Sequence, residues 1–422
     1  MFEKEDIYFP IKQKPACQLK WNWSTVWLTY GATNSCHRCL PIDLDKDNFD
    51  NFHNLPHKIK ERKIMLSGKW PTVANGGSGH CLHCKKVEDV GGTSDRMHHL
   101  TIPNQTPKEL LTNPTAVNIT PKILELFVNS TCNMSCVYCK TSESSKINAE
   151  AKKFGPIKMP DGNIIKNWIP KPKYPKQKYY FQRMMEWIEK NGNELTRLQI
   201  LGGEPFYMNE MQGIINTLKK LKNPHLELNV FSNFMIKEER FKNYIEQLEE
   251  LVMERRIGRL DLTASIDGWG PEAEYARTGL KCDHFRKLFD YALNKKWIVM
   301  NTQSVISSLT IRCVPELLKI LNEGRKIRRI GQHFGLISGF PFLHPSVYGG
   351  KFWENDFKNI LENMPEHNDR LKIQKDYMRG NIKYLKTTQK DEKGIKFLKY
   401  YLDTLDKRRN TNWRKIYPYL DI

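Results

Sequence analysis

KILELFVNSTCNMSCVYCKTS, residues 122–142, decides how the rest of the chain is read. From Lys122 to Asn129 it is short and almost continuously apolar, the pattern of a strand buried on both faces, as in a parallel sheet. Cys132, Cys136 and Cys139 follow at once, so they stand just beyond the C-terminal end of that strand. In parallel α/β architectures that end is where ligands bind and catalysis happens.

The spacing C-x-x-x-C-x-x-C lets three thiolates reach one metal centre from a single loop. Three thiolates can hold three irons of a 4Fe-4S cluster and leave the fourth iron open to a substrate or cofactor. With Tyr138 just before its last cysteine, the triplet resembles the signature of the radical SAM enzymes. The competing reading is a zinc knuckle short of one ligand. His37, His80 and His83 are candidate fourth ligands, and none lies near the triplet in sequence.

Further motifs follow in the order of that family. After the strand-like TRLQIL comes Leu201-Gly202-Gly203-Glu204-Pro205, similar to its GGEP motif. Two glycines let the backbone approach a ligand closely, and Glu204 can accept a hydrogen bond from an ammonium group. The resemblance implies that this motif binds the methionine amine of S-adenosylmethionine. The strand-like LELNVFSNF ends in Ser232-Asn233, where the family usually has Thr-Asn-Gly, and Phe234 replaces the glycine. In LDLTASIDG, Ser265 and Asp267, with Arg277 downstream, resemble the S-x-D and Y-x-x-x-R-x-G elements. By resemblance Ser265 and Asp267 face the ribose or methionine portion, and Arg277 the methionine carboxylate. The bland alternative for these three is a capped, solvated loop.

Strand-like runs at 122–129, 196–201, 226–232, 259–266, 297–306 and 329–336 alternate with helix-like runs at 178–190, 209–222, 237–254, 281–295 and 314–324. Six β/α units make an α/β parallel sheet with right-handed crossovers. The resemblance implies a partial (βα)6 TIM-like barrel. We expect a small cysteine-rich metal-binding domain at 1–115, the barrel at 116–345 and a helical C-terminal extension at 346–422.

Five cysteines lie upstream: Cys17, Cys36, Cys39, Cys81 and Cys84. One reading is a zinc ribbon of two C-x-x-C knuckles, Cys36/Cys39 and Cys81/Cys84. Its spacer of 41 residues exceeds the usual ~15–20. The other reading is a second 4Fe-4S cluster on Cys17, Cys36, Cys81 and Cys84, with a hairpin in the Trp-rich run Trp21–Tyr30 turning at Gly31. That arrangement resembles the twitch or SPASM auxiliary domain of radical SAM enzymes. So does the run of Cys81, Cys84, Glu88, Gly91, Ser94 and Arg96, although here the module precedes the barrel. Whether Cys36 or Cys39 ligates stays open, and His37 reads as a bystander. Cys282 and Cys313 read as small buried hydrophobes.

The 422 residues, 39% of them hydrophobic, can supply a sizeable core, and 11% aromatic content excludes a disordered chain. No apolar run reaches ~18 residues, and MFEKEDIYFPIKQ lacks an apolar leader core, so we expect no membrane anchor and a cytoplasmic location. The net charge of +20 favours an acidic partner and keeps nucleic acid open. The segment from Lys166 to Tyr180 interleaves Lys, Pro and aromatics and reads as a solvated loop inserted before the next helix. Altogether the resemblance implies reductive cleavage of S-adenosylmethionine and hydrogen abstraction from a peptide or small molecule, with an external one-electron donor. The rivals are a radical SAM enzyme acting on RNA and a zinc-ribbon nucleic-acid-binding protein with a degenerate barrel.

Overall fold

The computed structural model describes residues 8–36, 38–45, 47–100, 102 and 104–421. His37 and residues 1–7, on which the reading of the N-terminus partly rests, lie outside them. The chain is a mixed α/β fold around a nine-stranded, mostly parallel sheet. Its strands are β1 (Trp23–Trp27), β2 (Ala32–Asn34), β3 (Ile42–Asp43), β4 (Ile123–Phe127), β5 (Arg197–Leu201), β6 (Glu227–Ser232), β7 (Arg259–Ser265), β8 (Ile298–Ile306) and β9 (Ile330–Leu336). Their order is β3-β2-β1-β4-β5-β6-β7-β8-β9. The six strands expected from sequence are β4 to β9, parallel and side by side in chain order. The expected helices form at Gln177–Asn191, Glu210–Leu218, Glu238–Met253, Cys282–Asn294 and Val314–Ile327.

The two faces of this sheet differ. Leu198, Ile200, Leu228, Val230, Leu260 and Leu262 are fully buried in the main core with Ile214, Ile245 and Leu288 of the helices. The alternate positions, Arg197, Asn229, Asp261, Thr263 and Asn301, are polar and line a cavity. The apolar run read at 122–129 is the buried strand β4, whereas β5 to β8 place mostly polar residues on their second face.

The N-terminal hairpin differs most from expectation. Residues Gln18–Asn22, including Trp21, are helical, and the first strand begins at Trp23. That strand pairs in parallel with β4, Trp23 against Ile123 through Trp27 against Phe127, so the hairpin extends the main sheet. Flanked by β2 and β4, β1 is covered on both faces, and Trp23 to Val26 are all buried. Gly31 makes the turn with φ +71.

The inserted segment is also less solvated than its composition suggests. Trp168 is fully buried, and its indole N–H donates to the Tyr401 hydroxyl at 2.9 Å. Past Pro175 no proline remains, and the helix starts at Gln177 with Tyr180, Met184, Met185 and Ile188 on its buried side. Tyr401 belongs to the C-terminal helix Glu392–Arg409 and itself donates to the Val137 carbonyl in the cysteine loop at 2.5 Å. A second C-terminal helix, Asp369–Lys386, lies along the free edge of β9, where the Phe334 amide donates to Gln374 at 3.2 Å. Among the described residues no helix is long and apolar enough to cross a membrane.

Candidate active site

The cysteine loop leaves β4 at its C-terminal end and is fixed from three sides. The Ser144 hydroxyl caps the helix Ser145–Phe154 and donates to the Met134 carbonyl at 3.1 Å. The amides of Ser135 and Val137 donate to the carbonyls of Thr278 and Ala276, both at 2.8 Å. Opposite them, the Gly203 and Glu204 amides donate to the carbonyls of Asn129 and Thr131 at 2.8 and 2.9 Å. The two glycines are needed here. A Cβ on Gly202 would meet the Asn129 carbonyl oxygen at 2.4 Å, and one on Gly203 the Thr131 carbonyl oxygen at 2.1 Å. The close approach they allow is thus to the cysteine loop itself rather than to a ligand.

Most residues that the sequence named around the triplet surround one cavity of about 310 Å³ at the C-terminal strand ends. Its walls include Cys132, Cys136, Tyr138 and Cys139, then Gly202, Gly203 and Glu204, and on the far side Asn233, Ser265 and Arg277. Pro205 and Asp267 are buried behind the wall and do not line it. Phe127, Lys140, Glu143 and Phe231 line the cavity and were not singled out from sequence. Lys140 and Glu143 directly follow the triplet, and both aromatics sit at strand C-termini, which is the signal that could have found them.

Burial pushes all three thiols up, Cys132 to about 12, with the neighbouring cysteines adding to the shift at Cys132 and Cys139. Burial thus disfavours the thiolate form in this loop, and a cationic centre beside the sulfurs would reverse that preference. The Met134 amide points at the Cys132 sulfur at 3.5 Å.

Glu204 is fully enclosed. It accepts from the Ser232 hydroxyl at 2.8 Å and from the amides of Asn233 and Phe206 at 2.6 and 3.2 Å. Burial nevertheless raises its carboxyl to about 7. Phe234, which stands where a glycine was expected, adopts φ +59, the left-handed region that glycine would enter freely. Its ring compensates by packing on Phe241, Phe285 and Phe289 at 5.2, 5.3 and 6.1 Å. The backbone of the expected motif is kept although its residue is not.

Arg277 and Asp267 engage each other. Arg277 Nε and Nη2 both donate to the Asp267 carboxylate at 2.9 Å, and Tyr138 and the Val305 amide complete that carboxylate's shell. Burial works against the Arg277 charge, but Asp267 outweighs it and holds the guanidinium above its usual range. Asp267 thus acts on the cavity through Arg277, whose Nη1 has no protein partner among the described residues.

All five N-terminal cysteines line a second, tight cavity of about 20 Å³. Glu88 accepts from Ser94 at 2.6 Å and, in a fork, from Arg96 at 2.9 and 2.6 Å, while Arg96 Nη1 donates to the Ala16 carbonyl beside Cys17. The amide of Arg38 donates to the Cys36 sulfur, and Lys20 Nζ donates to the Cys39 sulfur, both at 3.3 Å. Burial opposes the Lys20 charge, but Cys81, Cys39 and Glu61 outweigh it and hold the ammonium well above its usual range. The hydrogen bond from Cys36, together with Lys20, lowers Cys39, whereas burial raises Cys17 to about 11. His80 lines this cavity and His83 is exposed. Cys282 and Cys313 are buried at 6% and 4% exposure, as expected of small core residues.

No protein-family model and no curated protein matches the chain. Among solved structures it is similar to Streptococcus suis SuiB bound to precursor peptide SuiA, at 13% identity over 81% of this chain and 70% of that one, TM-score 0.38. SuiB bound to S-adenosylmethionine gives 13% identity over 78% and 75%, TM-score 0.29. TYW1 with a lysine-pyruvate adduct bound gives 13% over 55% and 68%, TM-score 0.29. Likenesses this distant fix neither chemistry nor substrate, and the functional reading rests on the site.

Proposed function

We propose that the chain is a radical SAM enzyme with a second iron-sulfur site in its N-terminal segment. One observation carries the reading. Three thiols of one loop share a cavity with Glu204, Asn233 and Ser265, which three separate strand ends deliver to it, and with Arg277, which follows the helix Pro271–Ala276. Cys132, Cys136 and Cys139 would hold a 4Fe-4S cluster with one open iron, and S-adenosylmethionine would share the cavity. When bound, this pair supplies reductive cleavage to a 5'-deoxyadenosyl radical that abstracts hydrogen from an unreactive carbon.

The chain's own contribution is to bind, orient and shield. Glu204, already accepting three hydrogen bonds, presents a fixed carboxylate edge to the methionine ammonium. Arg277, clamped by Asp267, offers its remaining N–H groups to the methionine carboxylate without having to reorganise. Ser265 and Asn233 stand on neighbouring strand ends where hydroxyl and amide groups can orient the ribose. The C-terminal helix holds the cysteine loop through Tyr401 and keeps water from its outer side.

For the N-terminal site the five convergent thiols, with the network of Glu88, Ser94 and Arg96 behind them, support a second 4Fe-4S cluster over zinc. The substrate class is a peptide or small molecule, and the electron comes from an external donor. Anaerobically reconstituted protein should hold about eight irons per chain and convert S-adenosylmethionine to 5'-deoxyadenosine. Cys132→Ala should abolish conversion and leave the N-terminal irons. Stoichiometric zinc without iron overturns the enzyme reading, and about four irons with one zinc removes only the second cluster.

A further inference from the structure

Towards the N-terminal strand ends, the polar face of the sheet opens into a third cavity, of about 630 Å³. Phe231 belongs to the walls of both this chamber and the cysteine cavity, so the two meet at one ring. The charged lining is lopsided, with Arg197, Arg259, Arg328, Arg329 and Arg370 against Asp261. Arg197 and Arg259 are engaged by Glu227 at 2.6 and 2.7 Å, and Arg259 also by Asp261 at 2.8 Å. Arg328 donates to backbone carbonyls, at 2.7 Å to Lys295. Arg329 and Arg370 have no hydrogen-bond or ion-pair partner among the described residues, and both stand at the mouth, exposed.

The neutral lining is equally unsatisfied. Gln332 is 7% exposed, its Oε1 accepts from Arg325 at 2.9 Å, and its Nε2 has no partner. Asn229 Oδ1 is buried without a partner as well. Buried amide groups left unpaired cost about 1–3 kcal/mol each, and a polar partner reaching this wall would relieve that cost.

We infer that this chamber receives the substrate of the reaction proposed above, on which the inference rests, and that the substrate is anionic. A carboxylate or phosphate of a metabolite-sized ligand pairs with Arg329 and Arg370. Its polar body lies on the amides of Asn229, Asn301 and Gln332, and its far end reaches Phe231 and the cysteine cavity. No acid in the chamber lacks a cation, so a cationic substrate finds no counter-charge there.

The test is titration calorimetry on the full-length reconstituted protein at about 50 mM salt. The probes are adenosine 5'-monophosphate against adenosine, and a terminally blocked Glu-Glu dipeptide against blocked Gln-Gln. One anion should bind at least about tenfold more tightly than its uncharged counterpart, and Arg329→Ala/Arg370→Ala should erase that advantage. Which anion responds separates a phosphate from a carboxylate source. The double variant Lys190→Ala/Lys219→Ala, which removes two exposed lysines elsewhere, should leave the advantage intact. Equal binding of anions and counterparts, or an advantage that survives in the double arginine variant, overturns the inference. Iron content and ligand-free S-adenosylmethionine cleavage of the same wild-type preparation report separately on the enzyme reading. Arginine-dependent anion binding without iron or cleavage would overturn that reading while the anion chamber stands.

Discussion

Gly203→Ala separates two roles for the paired glycines before Glu204. If they serve ligand approach, the added methyl weakens S-adenosylmethionine binding and leaves the cysteine loop loaded. The structure gives a different expectation. The Cβ would sit 2.1 Å from the Thr131 oxygen, 2.4 Å from its carbonyl carbon and 2.8 Å from the Ser130 carbonyl carbon. All three are backbone atoms of the cysteine loop, so no flexible side chain can give way. Relief needs a separation of about 1 Å, which costs ~1–3 kcal/mol as overpacking. It also stretches the hydrogen bonds from Gly203 and Glu204 to Asn129 and Thr131, at about 1 kcal/mol each. The sum, about 3–5 kcal/mol, falls on the segment that positions Cys132, and a site displaced by 1 Å is too loose to hold its group. Reconstituted Gly203→Ala should therefore drop from about eight irons towards four, with cleavage lost and far-UV circular dichroism preserved. Gly380→Ala, whose Cβ meets nothing within 4 Å on an ordinary helical backbone, controls for the substitution itself. A Gly203→Ala protein with full iron and only weakened S-adenosylmethionine binding refutes the reasoning.

Phe234→Ala should cost about 3–4 kcal/mol for the lost ring, and Phe234→Gly about 1 kcal/mol less, because only glycine relieves the left-handed backbone; equal urea midpoints would exclude strain at this residue. His53 is buried and neutral, its Nδ1 accepting from Ser24 at 2.7 Å and its Nε2–H donating to the Trp21 carbonyl at 2.8 Å. Burial first, then Arg62 and Lys58, hold its folded pKa well below 6.5, so its contribution is complete above pH 6.5 and lost below it. Stability should fall by up to about 1.4 kcal/mol per pH unit on acidification, and His53→Gln should flatten that slope in denaturation measured at several pH values. Arg96→Lys keeps the charge but cannot make the fork to Glu88 and the bond to Ala16 together, so iron content should fall by about four and the loss should fall on the N-terminal site, read by spectroscopy of Cys132→Ala with and without the change.

What could be read from sequence was local. The apolar run through Phe127, the triplet behind it and the glycines before Glu204 lie within a few residues of one another, and periodicity and spacing report such features directly. The site's support was not readable, because it comes from far along the chain. Tyr401 reaches Val137, Arg409 binds Glu150 at 3.0 Å, and Tyr417 donates to the Glu272 carbonyl at 2.6 Å. These residues lie in the C-terminal extension, whose sequence reads as polar amphipathic helices packing across the barrel but does not show which residues they touch. The parallel pairing of β1 with β4 was equally hidden, since a Trp-rich hairpin signals its own turn but not the strand it will join. Phe234 shows the reverse error: a broken motif in sequence whose backbone conformation survives because three phenylalanines bury its ring.

That parallel pairing also fixes how the two cysteine sites relate. Cys132 to Cys139 follow the C-terminal end of β4, whereas Cys17 precedes β1 and Cys36 follows β2, which runs antiparallel to β1. The sites therefore lie at opposite ends of the same strands, at least about 13 Å apart at ~3.3 Å rise per residue. They share no lining residue. Changes at one end should therefore add to changes at the other rather than couple with them, so the iron lost by Cys132→Ala and by Arg96→Lys should sum in the double variant. The net charge, by contrast, is placed by neither cysteine site. Its local counterpart is the arginine-lined mouth of the larger chamber, where two guanidinium groups meet no acid among the described residues and an anion is the chemistry that would complete them.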